Sequence, residues 1–164
     1  MKHIITHYPI FAIDETHSLW PAFLEVVASL GEVEVKRATV QEEHFLSSHI
    51  LVALDGDQPV GYLRFVVQRL GEDEDRPLVI FNGRVIEEAK VITFAVIPEY
   101  QNRGIGRKLQ QAAMKRARTL GCYQFRSRNS YSCEANHHLK ISMGFGIQPS
   151  LQNDSLYFVL PLEK

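Results

Sequence analysis

At 164 residues, with 45% hydrophobic and 23% charged content, the chain reads as one ordinary globular domain, 1–164, able to bury about two thirds of its unfolded surface. A net charge of −1, and the lack of any apolar run as long as a membrane helix, argue against nucleic-acid and membrane partners. Two cysteines, Cys122 and Cys133, are too few for a disulfide framework and point to a reducing, cytoplasmic setting.

The N-terminus shows no signal-peptide core, since Asp14 and Glu15 follow a mixed segment. Residues 1–13 alternate loosely and predict an opening strand. Leu19, Trp20, Phe23, Val26, Val27 and Leu30 repeat at helical spacing, with Thr16 or Ser18 as N-cap and Gly31 closing the end. Val33 and Val35 alternate with charged residues, predicting a short strand over 32–40, and 41–48 reads as a brief helix or loop. Strands follow at 49–54 and 60–70, joined by the turn residues Asp55-Gly56-Asp57-Gln58-Pro59. Residues 71–77 form an acidic loop. Leu78 to Phe81, then Asn82-Gly83, then Arg84 onward, is the strongest local hairpin signal.

Val91 to Ile97 is β-branched and apolar on both faces, a strand buried within a sheet, and Pro98 ends it. Ile105, Leu109, Ala113, Ala117 and Leu120 then mark a long helix stopped by Gly121. Residues 123–128 follow as a strand in βαβ relation to the first, hence parallel to it. Ala135, Leu139 and Met143 mark another helix, and 144–147 with 155–160 close the sheet as a terminal pair. Charge is unevenly spread. From Gln101 to Arg128 there are eight basic residues and no acid, whereas acids cluster at 72–75, at 87–88 and between 14 and 43. This fits an anionic ligand for the basic stretch and a cation for the acidic part.

Between the buried strand and the long helix lies Gln101-x-x-Gly104-x-Gly106. Glycines there allow a sharp turn and close approach of a ligand, and a helix N-terminus offers N–H groups to an anion. A dinucleotide fingerprint would need a third glycine where Leu109 stands, and no P-loop Gly-Lys-Ser/Thr is present. By itself the pattern reads equally as an ordinary strand-to-helix turn. With Val96-Ile97-Pro98-Glu99-Tyr100 before it and Gly144-Phe145 after it, the chain resembles the GNAT superfamily of N-acetyltransferases over roughly residues 49–162. The resemblance implies an α/β fold with a mixed, mostly antiparallel sheet of about six or seven strands, splayed central parallel strands and about four helices.

The resemblance also implies the chemistry. Acetyl-CoA is the acyl donor and an amine the acceptor. The pantetheine arm pairs with main-chain groups of Phe94, Ala95 and Val96, and the pyrophosphate sits on the amides of Gln101, Asn102, Arg103, Gly104, Ile105 and Gly106. Arg103, Arg107 or Lys108 adds charge. An N–H near Val96 holds the oxyanion as the amine attacks directly. Glu87 and Glu88, just ahead of the strand, are the carboxylates best placed in sequence for a base, against the alternative that both face solvent. Some members carry a glutamate on this strand, where the aligned residue here is Lys90.

Many members have a tyrosine and an asparagine where this chain has Lys140 and Cys133. Cys133, Asn136 and Lys140 fall on one helical stripe, with Asn136 as a hydrogen-bonding partner of the cofactor and Lys140 as a proton donor. Lys140 as a solvated surface lysine, Tyr131 as a substitute donor and an unassisted thiolate are the alternatives. Cys133 as an acyl-carrying nucleophile lacks a histidine placed beside it, and His137-His138 lacks partners for a metal, so no metal is expected. A homodimer is common in the family, and a non-catalytic acyl-CoA sensor is the competing function.

Overall fold

The computed structural model describes residues 7–150 and 154–162. Of the expected opening strand, residues 1–6 lie outside the described residues, and β1 spans Ile10–Ile13. The remaining elements are α1 (Trp20–Ser29), α2 (Glu32–Thr39), β2 (Ser47–Asp55), β3 (Gln58–Arg69), β4 (Ile80–Phe81), β5 (Arg84–Val85), β6 (Glu87–Val96), α3 (Ile105–Thr119), β7 (Gln124–Ser130), α4 (Glu134–Ser142), β8 (Gly146–Pro149) and β9 (Ser155–Pro161). Seven strands form one sheet in the order β1-β2-β3-β6-β7-β9-β8, and β4 and β5 form a separate ribbon. β6 and β7 are parallel, with Glu88 opposite Gln124 and Lys90 opposite Arg126. The pairs β1–β2, β7–β9 and β8–β9 are antiparallel. No helix among the described residues is long and apolar enough to cross a membrane.

The chain divides into two compact units, and β3, β6 and α3 each begin in one and end in the other. The first comprises Met1–Val40, His49–Arg64 and Thr93–Ala113. Its core gathers Ile13, Phe23, Val27, Ala38, Ile50, Val52, Leu54 and Tyr62, with Trp20, Val35 and Ala95 packed on it. α1 starts after Leu19 without a side-chain cap. Thr16, expected as the cap, instead donates to Asp14 at 2.5 Å, so the local Asx-type turn captures it.

The strand expected over 32–40 is a helix. Val33 is exposed, whereas Val35 packs on the core and Ala38 is buried, which is an i, i+3 spacing. Two alternating valines were too short a window to separate period 2 from period 3.6. Gly31, at φ 114°, turns the chain from α1 into α2. On the opposite face of β3, a Cβ at Gly61 would stand 3.2 Å from the Ala95 carbonyl oxygen and 3.3 Å from Ile105 and Leu109. Gly61→Val is therefore expected to destabilise the protein by about 1–3 kcal/mol in urea unfolding, because backbone must move to admit the side chain.

The second unit comprises Gln41–Ser48, Phe65–Ile92 and Met114–Lys164. Phe125 anchors its core, with its ring centroid 6.2 Å from that of Phe65 and 6.1 Å from that of Phe145. Asn82 and Gly83 adopt positive φ, as the hairpin signal required. The hairpin is short, however, and forms a ribbon separate from the sheet, with Ile80 and Phe81 exposed. Leu120, expected to end the α3 stripe, lies beyond the helix and is also exposed.

Candidate active site

In the first unit, β6 runs out at Val96 and a turn of 3-10 helix at Pro98–Tyr100 leads into the glycine loop. Asn102 and Gly104 take positive φ (63° and 81°), so the loop makes the sharp reversal that the glycine spacing predicted. The Gln101 side chain donates from Nε2 to the Val96 carbonyl at 3.0 Å, tying the loop to the strand end. Ile105 is buried and opens α3, whose first N–H groups have no acceptor within the helix and carry the positive end of its dipole. Arg107 and Lys108 are exposed on the first turn.

Arg103 has partners within the protein. It donates to the Tyr8 hydroxyl and to the Glu99 carbonyl, both at 2.9 Å, and its guanidinium lies 4.7 Å from the Tyr100 ring centroid. Tyr100 in turn donates to Asp55. Arg103 thus braces the loop against the segment before β1 and the end of β2. Phe94, Ala95 and Val96 at the end of β6 are half-buried.

Sequence reasoning missed Glu34. The Thr93 hydroxyl donates to its Oε2 at 2.5 Å and the Tyr62 hydroxyl at 3.2 Å, while Arg37 meets Oε1 at 3.2 Å. Burial, then the Glu34 charge, push the Tyr62 phenol well above its usual range, so it stays a donor. A helical period for 32–40 would have placed Glu34 one residue from Val35, on the inward flank. Reading the segment as a strand hid it.

The two expected bases lie in the second unit and are inside β6, not ahead of it. Glu88 is fully buried. Its Oε1 accepts from Arg126 Nε (2.9 Å) and Gln124 (3.1 Å), and its Oε2 from Arg126 Nη2 (2.8 Å) and Gln68 (3.0 Å). A carboxylate already taken by four donors has no open lone pair for an ammonium, which corrects its expected role as a base. Asp73, from the acidic loop, also binds Arg126 (3.0 Å) and takes Lys90 at 2.5 Å. Burial alone would raise the Asp73 pKa, but Lys90 and Arg126 outweigh it and hold it low. Glu87 is half-buried, and its carbonyl accepts from the Tyr123 N–H.

Lys140 is no surface lysine. It is 1% exposed, donates to Ser127 Oγ (2.5 Å) and to Asn129 Oδ1, and lies 5.1 Å from the centre of the Phe158 ring. Burial pushes its pKa down to about 7, with Cys133 working against the shift. Asn136 sits half-buried in the first turn of α4. Cys133 caps α4 instead of belonging to it, so the expected stripe reduces to Asn136 and Lys140. Cys133 Sγ is 3.4 Å from Ser130 Oγ, and His137 Nε2 lies 2.9 Å from the Ser130 carbonyl. Among the described residues, no three His, Cys, Asp or Glu side chains converge as a metal-binding group.

Solved structures that share this fold include acetyltransferases. The chain matches the Escherichia coli ribosomal-protein-S18-alanine N-acetyltransferase with TM-score 0.65 and 20% identity, covering 96% of each chain. It matches Arabidopsis thaliana NAA60 in complex with acetyl-CoA with TM-score 0.72 and 16% identity, over 95% of this chain and 99% of that one. A Bacillus subtilis acetyltransferase in complex with CoA gives TM-score 0.65 and 19% identity, over 96% of this chain and 100% of that one. No curated protein matches the sequence. The sequence model of the Acetyltransferase (GNAT) family matches residues 14–138, a span that holds the strand, the loop and the helix described above. The chain therefore belongs to the GNAT acetyltransferase family.

Proposed function

We propose that the chain works as one acetyltransferase domain that moves an acetyl group from acetyl-CoA to a primary amine, by direct attack within a ternary complex. The observation that carries this reading is the loop 101–106, reversed by left-handed Asn102 and Gly104 onto the N-terminus of α3 and tied to the end of β6 by Gln101. The loop amides and the α3 dipole suit a pyrophosphate, with Arg107 and Lys108 adding charge. Main-chain groups of Phe94, Ala95 and Val96 pair with the pantetheine arm, and an N–H near Val96 polarises the thioester carbonyl. The thioester supplies the acyl group and a good leaving thiolate.

Lys140 takes the place of a tyrosine acid. An ammonium with pKa about 7 is matched to protonate a thiolate near neutral pH. Asn136 supports the cofactor through a hydrogen bond. Two free cysteines suit a reducing, cytoplasmic setting, and a homodimer is the assembly common in the family. The replacement of the family tyrosine by Lys140 favours a second reading, an acyl-CoA sensor without turnover. Detectable acetyl transfer to any amine excludes it.

The test is a thermal-shift titration with acetyl-CoA, CoA and NAD, followed by thiol release with spermidine, tyramine, methylamine and a peptide with a free N-terminus. Ligand at 100 times its Kd adds about 2.7 kcal/mol, roughly 5–10 °C for a domain of this size. Stabilisation by acetyl-CoA and CoA but not NAD, with thiol release, is expected. No shift with either CoA compound would end the acyltransferase reading.

A further inference from the structure

We infer that Glu34 of α2, held by Thr93 of β6 and Tyr62 of β3, is the group that captures the acceptor as an ammonium and removes its proton. The inference rests on the acetyl-transfer reading above and assigns the acceptor side of that site. All the residues involved belong to the first unit.

The argument begins with how α2 is fixed. Arg64 on β3 is fully buried and donates to the carbonyls of Arg37 (2.8 Å) and Val40 (2.6 Å), at the C-terminal end of α2, where the helix dipole favours a cation. Tyr62, two residues earlier and hence on the same face of β3, and Thr93 reach Glu34 near the helix N-terminus. Both ends of α2 are thus bound to the sheet, which makes the Glu34 carboxylate a fixed group. Arg37 shares its helix, β2 offers the apolar Ile50, Val52 and Leu54 to the same core, and Glu25, the one titratable residue of α1, is exposed.

Thr93 is the residue immediately before Phe94, Ala95 and Val96, the stretch assigned above to the pantetheine arm. Ala95, two residues on and on the same strand face, packs against the core that α1 and α2 share. Glu34 therefore stands on the α1/α2 face of the acyl-transfer strand. Oε2 is taken by the two hydroxyls, whereas among the described residues Oε1 meets the guanidinium of Arg37, whose side chain is 54% exposed. An exposed pair of this kind is worth little and exchanges readily. An incoming alkylammonium replaces Arg37 at Oε1. The ammonium passes its proton to the carboxylate, and the freed lone pair attacks the thioester carbon. The nitrogen of the new amide gives up its second proton to water, the carbon–sulfur bond breaks with its electron pair on sulfur, and the thiolate takes a proton from water. Glu34 then returns its proton to solvent. The acceptor class is a cationic primary amine.

The test measures kcat/KM against pH with the four amines named above. In Glu34→Gln, kcat/KM near neutral pH is expected to fall by about 10²–10⁴-fold, while stabilisation by acetyl-CoA is unchanged. The residual rate should climb about tenfold per pH unit toward the pKa of the amine, about 10.4 for an alkylammonium, because the substrate must then lose its proton unaided. Tyr62→Phe removes one donor to the carboxylate, so the acid limb should move to higher pH. Parental kcat/KM with an unmoved acid limb in Glu34→Gln overturns the inference. If that variant loses acetyl-CoA stabilisation, Tyr62→Phe decides: a shifted limb supports the role and an unmoved limb overturns it. A parent protein that acetyl-CoA stabilises, but that uses none of the amines, overturns the role of Glu34 and leaves the cofactor site standing. A parent that acetyl-CoA does not stabilise overturns the transferase reading itself.

Discussion

Arg126→Met is expected to destabilise the protein by about 3–5 kcal/mol in urea unfolding, among the largest effects of any single substitution outside the hydrophobic core. Among the described residues the guanidinium is the one cation that meets both oxygens of the fully buried Glu88, and it also binds Asp73 and stacks 4.7 Å from the Tyr157 ring centroid. Removing it leaves Glu88 with Gln68 and Gln124 as donors and no opposite charge at its oxygens. Burial by itself would lower the Arg126 pKa, but the Glu88 charge outweighs it and holds the group cationic at any working pH. Adding Glu88→Met to Arg126→Met should recover part of the loss, because the uncompensated buried charge is then gone. A loss below about 1 kcal/mol at pH 8 would mean that water reaches Glu88 and that the pair is not a dry one.

Lys140→Met is expected to act on stability and catalysis with separable signatures. The folded pKa of about 7 lies below the unfolded value of 10.5. Between those values the unfolded chain binds a proton that the folded protein does not, so stability from this group rises with pH, by up to about 1.4 kcal/mol per pH unit. Below about pH 7 both states carry the charge and the full burial cost is present. The methionine variant should lack this slope, and its stability relative to the parent should be most favourable at low pH. Against this, Ser127 and Asn129 lose a donor, which costs about 1–3 kcal/mol at all pH values. For catalysis, kcat should fall by about 10²-fold, the low end for a general acid, because a thiol of pKa near 8.5 leaves readily. Unchanged kcat and pH profile, with the stability slope lost, would make Lys140 a structural group only.

The strand, loop and helix from 91 to 120 were legible because each is a local pattern. β-branched residues on both strand faces, a glycine at the positive-φ position 104 and an apolar stripe at helical spacing need no knowledge of distant residues, although Gly106, read as part of the turn, lies within α3 and Asn102 supplies the second positive φ. The Asn82-Gly83 turn was legible for the same reason, but its packing was not. Nothing within the hairpin says whether another element will cover Ile80 and Phe81.

The candidate chemistry divides in the same way. Sequence alone identified the glycine turn and, together with the flanking strand and Gly144-Phe145, the family, since the turn depends on backbone conformation over a few residues. Tertiary structure decided the fate of every charged side chain. Glu88 and Lys140 looked like solvent or catalytic groups in sequence, and both are buried, one against Arg126 and the other against Ser127, Asn129 and Phe158. Arg103, expected to add charge for a phosphate, also braces the loop through Tyr8 and Tyr100. Glu34 was invisible until α2 replaced the expected strand and brought it to Tyr62 and Thr93, 28 and 59 residues away in the chain. A charge draws its meaning from its partners and its exposure, and both are set by contacts across sequence distances that no local period encodes.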